Sequence, residues 1–207
     1  MQVFGLSRKG KDHEENEDRF LIDREKSLFA VADGVSIPPG GGEAAKLACE
    51  LLAENFQGDL KQAFCKVNQE VFKRRIEGKC GFTTLTALHV EGSKVLLCWI
   101  GDSPAFLVME GRIAFLTSFE DARGNVLLQA VGEKSINVHE KVFEVRENDF
   151  IILCTDGISS VLSPESILFI VLTEKIPEEI CKALVREAEK RESAYRDDKT
   201  AVVLGIT

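Results

Sequence analysis

The chain has 207 residues, 44% of them hydrophobic and 29% charged, the balance of one soluble globular domain with a sizeable core. Its 26 basic and 34 acidic residues leave a formal charge of −8 at pH 7, which argues against non-specific nucleic-acid binding, a task for basic surfaces. No apolar segment approaches the length of a membrane span, so neither nucleic acid nor a membrane is expected as a partner.

The opening residues Met1 to Lys9 lack the apolar core of a secretion signal and run straight into charge. The six cysteines (Cys49, Cys65, Cys80, Cys98, Cys154, Cys181) are dispersed and form no CxxC pair; they read as buried, reduced thiols of a cytoplasmic protein. Gly5 to Asp18 reads as a polar loop that ends in the acidic run Glu14-Glu15-Asn16-Glu17-Asp18. Arg19 to Asp23 and Leu28 to Ala32 read as paired strands, joined by the charged turn Arg24-Glu25-Lys26. The second of these is an apolar run halted by Asp33-Gly34, where glycine lets the chain turn sharply. Proline and glycine then forbid regular structure from Val35 to Gly42.

Glu43 opens a helix with Ala44, Leu47, Ala48, Leu51 and Leu52 as its apolar stripe. A second helix runs from Asp59 to about Ile76, with Leu60, Phe64, Val67 and Val71 at helical spacing and Gly78 as its stop. The period then switches towards two. Thr84 to Val90, Lys94 to Ile100, Ala105 to Met109 and Arg112 to Leu116 read as four strands of an antiparallel meander. Lys141 to Val145 and Phe150 to Cys154 follow, and the second again halts at an Asp-Gly pair, Asp156-Gly157. Helices start at Ser163-Pro164 and at Pro177, and Thr200 to Ile206 is the last strand. With no repeat or linker, residues 1–207 read as a single α+β domain of antiparallel sheets with helices packed outside.

Acidic residues flank four of these strands: Glu17 and Asp18, Asp33, Asp156, and Asp197 with Asp198. Each alone reads as an ordinary turn acid. If the strand ends share one rim of a sandwich, the carboxylates converge, and like charges that close need compensation. A divalent cation is the usual one, and an all-oxygen donor set without Cys/His spacing suits Mg²⁺ or Mn²⁺ rather than zinc.

The chain resembles the metal-dependent protein phosphatase superfamily, the PP2C-like serine/threonine phosphatases, including its compact bacterial and sporulation-stage members. The matching pieces run in the family's order: Gly5 and Gly10 with Asn16-Glu17-Asp18, Val31-Ala32-Asp33-Gly34 with Gly42-Glu43-Ala44-Ala45, Gly81-Phe82-Thr83-Thr84, Gly101-Asp102-Ser103, Asn125 to Gly132, Leu153-Cys154-Thr155-Asp156-Gly157, and Asp197-Asp198-Lys199-Thr200. The resemblance implies an α-β-β-α sandwich of two antiparallel sheets, hydrolysis of phosphoserine and phosphothreonine in proteins, and two Mg²⁺ or Mn²⁺ ions. It implies that Asp33 bridges the two ions and that the Gly34 carbonyl and Asp18, with Glu17 beside it, serve one of them. Asp156 and Asp197 would hold the other. In that scheme a water bridging ions roughly 3.5–4 Å apart attacks the phosphorus in line.

The sequence departs from the family at several points. Where the family carries a phosphate-clamping arginine stands His13, which reads as a protonated phosphate binder, a proton donor or a surface histidine. Pro104 replaces the arginine after Gly-Asp-Ser, and Ser36-Ile37 replaces a Gly-Gly. The element tied to a third ion reads Leu116-Thr117-Ser118-Phe119-Glu120-Asp121; Phe119 is no ligand, and Glu120 or Asp121 could substitute only after a shift, so two ions are expected. The stretch Asp121 to Asn125 is too short for the family's flap subdomain. Loss of arginine and flap leaves two alternatives, a non-catalytic regulatory or binding module and a hydrolase of small phosphate esters. The implied partners are a phosphorylated protein and a kinase that the sequence does not name.

Overall fold

The computed structural model describes residues 1–118, 122–123, 126–191 and 196–207. In chain order the strands are β1 (Gln2–Arg8), β2 (Arg19–Asp23), β3 (Leu28–Ala32), β4 (Leu85–Glu91), β5 (Lys94–Ile100), β6 (Ala105–Met109), β7 (Arg112–Phe115), β8 (Ala122–Arg123), β9 (Val126–Leu127), β10 (His139–Glu144), β11 (Phe150–Cys154) and β12 (Lys199–Gly205). The helices are α1 (Gly41–Asn55) and α2 (Leu60–Ile76) between β3 and β4, and α3 (Asp156–Ser159), α4 (Pro164–Glu174) and α5 (Pro177–Arg191) between β11 and β12.

Two five-stranded antiparallel sheets stack face to face, one in the order β1-β12-β11-β6-β7 and the other β10-β5-β4-β3-β2. Alternation along the strands builds three apolar layers. In β3, Phe29 and Val31 point between the sheets, where they meet Val202 and Leu204 of β12 and Ile151 and Leu153 of β11. Leu28, Ala30 and Ala32 point the other way, onto Leu52, Phe64 and Val67 of α1 and α2. On the opposite flank Ile152, Ala201 and Val203 pack on Ile167, Ile180 and Leu184 of α4 and α5. The architecture is therefore α-β-β-α. Strands covered on both faces are apolar throughout, which is why β3, β11 and β12 read as continuous runs.

Three local expectations need correction. Of the segment Gly5 to Asp18, expected as a loop, residues 5–8 belong instead to β1, an edge strand that pairs with β12 in the register Gly5↔Val202. Its half-buried, mixed residues carry no periodic signal, and only a partner almost two hundred residues away makes it a strand. The four strands expected as one meander are two hairpins in different sheets: β4 and β5 pair with each other, as do β6 and β7. The chain crosses between sheets at Gly101–Pro104, where Gly101 takes a φ of 92° and the Pro104 carbonyl accepts from Cys154 N at 3.1 Å. Among the cysteines, Cys65 is exposed while the other five are buried. Between β7 and β10 the described residues hold the small β8–β9 ladder and a bridge from Val131 to Thr83, and no flap subdomain.

Candidate metal centre

Antiparallel pairing puts the end of one strand beside the start of its neighbour. Arg19 of β2 lies opposite Ala32 of β3, so Asp18 and Asp33 emerge side by side from one sheet. Cys154 of β11 lies opposite Ala201 of β12, so Asp156 and Asp197 emerge together from the other. The two pairs meet at one rim, where Thr155 Oγ1 donates to Asp18 Oδ2 at 2.7 Å.

The backbone of Asp33 is clamped on both sides. Its N–H donates to Thr84 Oγ1 at 2.9 Å, and its carbonyl accepts from Thr84 N at 2.8 Å and Thr83 Oγ1 at 2.9 Å. Ser103 Oγ sits 2.7 Å from Thr84 Oγ1, so the Thr-Thr and Gly-Asp-Ser segments form one scaffold under this carboxylate. Gly34 bridges to Thr83 and donates its N–H to the Glu17 carbonyl at 3.3 Å. A Cβ there would lie 2.3 Å from the backbone carbon of Gly41, so only glycine admits this approach of α1.

The carboxyls repel one another. Asp18 is 2% exposed; burial, with the charges of Asp198 and Asp156, pushes its carboxyl up to about 8 against the pull of hydrogen bonds from Thr155 and Thr200. Burial, then the charges of Asp18, Asp156 and Asp197, raises Asp33 well above the carboxylate range. Burial, then Asp197 and Asp102, lifts Asp156 to about 6, and burial raises Asp197. Asp102, absent from the sequence-derived site, thus contributes to the same negative field. Burial first, and the neighbouring carboxyls second, oppose the ionisation of each of these groups, and a divalent cation would favour it. Asp156 Oδ1 is moreover buried without a hydrogen-bond partner, a vacancy in its acceptor shell that a cation fits. All these donors are oxygens, the set for Mg²⁺ or Mn²⁺.

The remaining expected residues are placed as follows. Glu17 turns its carboxylate to Ser36 Oγ, which donates to Oε2 at 2.5 Å, and to Gly42 N in the first turn of α1, at 3.4 Å from Oε1. Glu120 and Asp121 lie outside the described residues. His13 is not a surface histidine: its side chain is 10% exposed, with Nδ1 2.8 Å from Asp198 Oδ2 and Nε2 3.3 Å from Asp197 Oδ1. Asp198, which sequence reasoning grouped with Asp197 and gave no role, is the hub here. It accepts from Gly10 N at 2.7 Å and from Glu17 N at 2.7 Å as well. Its place in the Asp-Asp-Lys-Thr run was the available signal.

An open cleft of about 490 Å³ lies beside the rim, between His13, Arg19, Glu14, Glu15 and Glu43. The Arg19 guanidinium is committed to the carbonyls of Asn16 and Asp18, at 2.6 and 2.7 Å. A phosphate entering this acidic cleft would therefore depend on bound cations for its countercharge.

The comparisons agree with this architecture. The chain is 27% identical to the "Probable protein phosphatase 2C 9" of Arabidopsis thaliana, over 95% of this chain and 85% of that protein. It is 26% identical to the serine/threonine phosphatase stp of Listeria monocytogenes, over 81% of each. The solved catalytic domain of the serine/threonine protein phosphatase PstP, in complex with two manganese ions, superposes with a TM-score of 0.81 at 25% identity, covering 98% of this chain and 96% of that one. The family pattern described as Protein phosphatase 2C spans residues 8–192, which takes in Asp18, Asp33 and Asp156 and stops before Asp197 and β12, and the chain belongs to that family.

Proposed function

We infer that this chain is a metal-dependent phosphatase that hydrolyses phosphoserine and phosphothreonine in proteins, with two Mg²⁺ or Mn²⁺ ions held by Asp18, Asp33, the Gly34 carbonyl, Asp156 and Asp197. Bound cations supply Lewis-acid charge for the phosphoryl oxygens and acidify a water. The protein's own task is positioning, which phosphoryl transfer mostly requires. Thr83 and Thr84 clamp the backbone that carries Asp33, the carboxylate that the two ions share in this reading. Thr155 holds Asp18 from the opposite sheet. The buried, unpartnered Asp156 Oδ1 amid mutually repelling carboxyls is the observation that carries the reading.

Residues 1–207 act as one domain in this reading, since both sheets share one core layer. A cytoplasmic location is supported by the five buried free thiols; among the described residues no helix is long and apolar enough to cross a membrane. The chemistry implies a kinase that makes the phosphoprotein substrate. The test is hydrolysis of a phosphopeptide with Mn²⁺ by the wild-type chain and by the double variant Asp33→Asn/Asp156→Asn. Activity that is absent in the first, or survives in the second, refutes the assignment.

A further inference from the structure

We propose that an apolar groove beside Gly34 binds a large aliphatic side chain of the phosphoprotein substrate, within about three residues of the phosphoserine or phosphothreonine; the inference rests on the phosphatase reading above. The groove holds about 340 Å³ between Val35, Ile37, Pro38, Phe82, Leu127 and Ala130. All six side chains are apolar, and the volume is that of a small ligand cleft, about 300 Å³ or more. Ile37 is 87% exposed, and Leu128, the neighbour of Leu127, is 47% exposed. Large aliphatic side chains held in water around one groove gain from being covered.

The groove is continuous with the metal centre through the backbone. Val35 follows Gly34 directly, and its N–H donates to the Phe82 carbonyl at 2.9 Å. Thr83, which follows Phe82, bridges to both Gly34 and Val131. The same Thr83 donates its Oγ1 hydroxyl to the Asp33 carbonyl at 2.9 Å. The links that clamp Asp33 therefore also set the groove at a fixed distance from it. An extended peptide spans about 3.3–3.6 Å per residue, so a substrate whose phosphate lies at Asp33 and Gly34 reaches the groove within a few of its own residues.

The groove is preformed. The Arg75 guanidinium lies 4.5 Å from the Phe82 ring centroid, while Arg75 Nε donates to the Gly132 carbonyl at 2.8 Å. Pro38 and Pro39 restrict the loop that bears Ile37. Such a wall costs a ligand little ordering. Glu133 also lines the groove, with Oε1 accepting from Ala130 N at 3.3 Å, and its charge opposes an acidic occupant.

The experiment measures kcat/KM of the full chain with Mn²⁺ on phosphothreonine peptides that carry Leu, Ala or Glu at one flanking position at a time. Leu should exceed Ala by about tenfold or more at one position, and Glu should fall below Ala there. Ile37→Asp should cut the Leu-over-Ala ratio to about twofold or less. That ratio compares two peptides on one enzyme, so a loss of folded protein or of metal cancels. The wild-type series decides the question even if the variant fails to fold. Hydrolysis without a preference for Leu at any position, or a preference that Ile37→Asp keeps, overturns this inference alone. A wild-type dimer in sedimentation velocity that Ile37→Asp dissolves gives the groove to a second copy of the chain and likewise overturns it. Wild type that hydrolyses none of the peptides overturns both this inference and the protein-phosphatase reading.

Discussion

Thr155 and Asp18 join the two sheets at the acidic rim: Thr155 Oγ1 donates to Asp18 Oδ2 at 2.7 Å and accepts from Thr200 N at 3.1 Å. Thr155→Val keeps the shape and removes both bonds, leaving a buried carboxyl and a buried N–H without them. The metal-free variant should lose about 1–3 kcal/mol in urea denaturation, and Thr155→Ser should recover most of it.

The metal-free protein should become less stable as pH rises from about 4 to about 8. The carboxyls of Asp18 and Asp156 stand at about 8 and about 6 when folded, against an ordinary 3.8. Between these values the folded chain holds more protons than the unfolded chain, so the unfolding free energy falls with pH and is highest below the unfolded value. Melting temperatures across that range should decline without metal. Saturating Mn²⁺ should reverse the slope at the alkaline end, because it binds the ionised carboxylates.

Asp33→Asn should separate stability from activity. It removes one charge from a site where Asp18, Asp156 and Asp197 all oppose the ionisation of Asp33, so the metal-free variant should melt higher than wild type at about pH 8. It should lose about 10²–10³-fold or more in phosphopeptide turnover, and most of the thermal shift given by Mn²⁺, which at a hundredfold excess over Kd is about 2.7 kcal/mol for one site.

Gly157 packs under the loop that carries Asp197 and Asp198. A Cβ at this position would lie 1.8 Å from the Asp198 carbonyl oxygen, and backbone cannot swing aside as a flexible side chain does. Gly157→Ala should cost about 1–3 kcal/mol and weaken Mn²⁺ binding, read by denaturation and calorimetry.

Much of this protein is legible in its sequence because the informative signals are local. Leu28 to Ala32 and Phe150 to Cys154 are apolar without interruption, and both halt at Asp-Gly. Those runs specify strands covered on both faces and put a carboxylate at the end of each. Helices α2 and α4 announce themselves by Asp59 and Ser163, whose side chains accept from Gln62 N and Ser166 N as caps should. The acids of the candidate site follow from the same signals, since strand ends and charged residues are both visible along the chain.

Tertiary structure decided what those local signals leave open. It made a strand of Gln2–Arg8, split the expected meander between two sheets, and carried the Glu17 carboxylate to the start of α1. It also set His13 against Asp198, 185 positions away, in a chain whose sequence offers His13 only as a replacement for arginine. The physical reason is the same in each case. Strand character and carboxylate position are properties of a few consecutive residues, whereas the partner of an edge strand or of an imidazole is chosen only when two sheets close on one another and bury both.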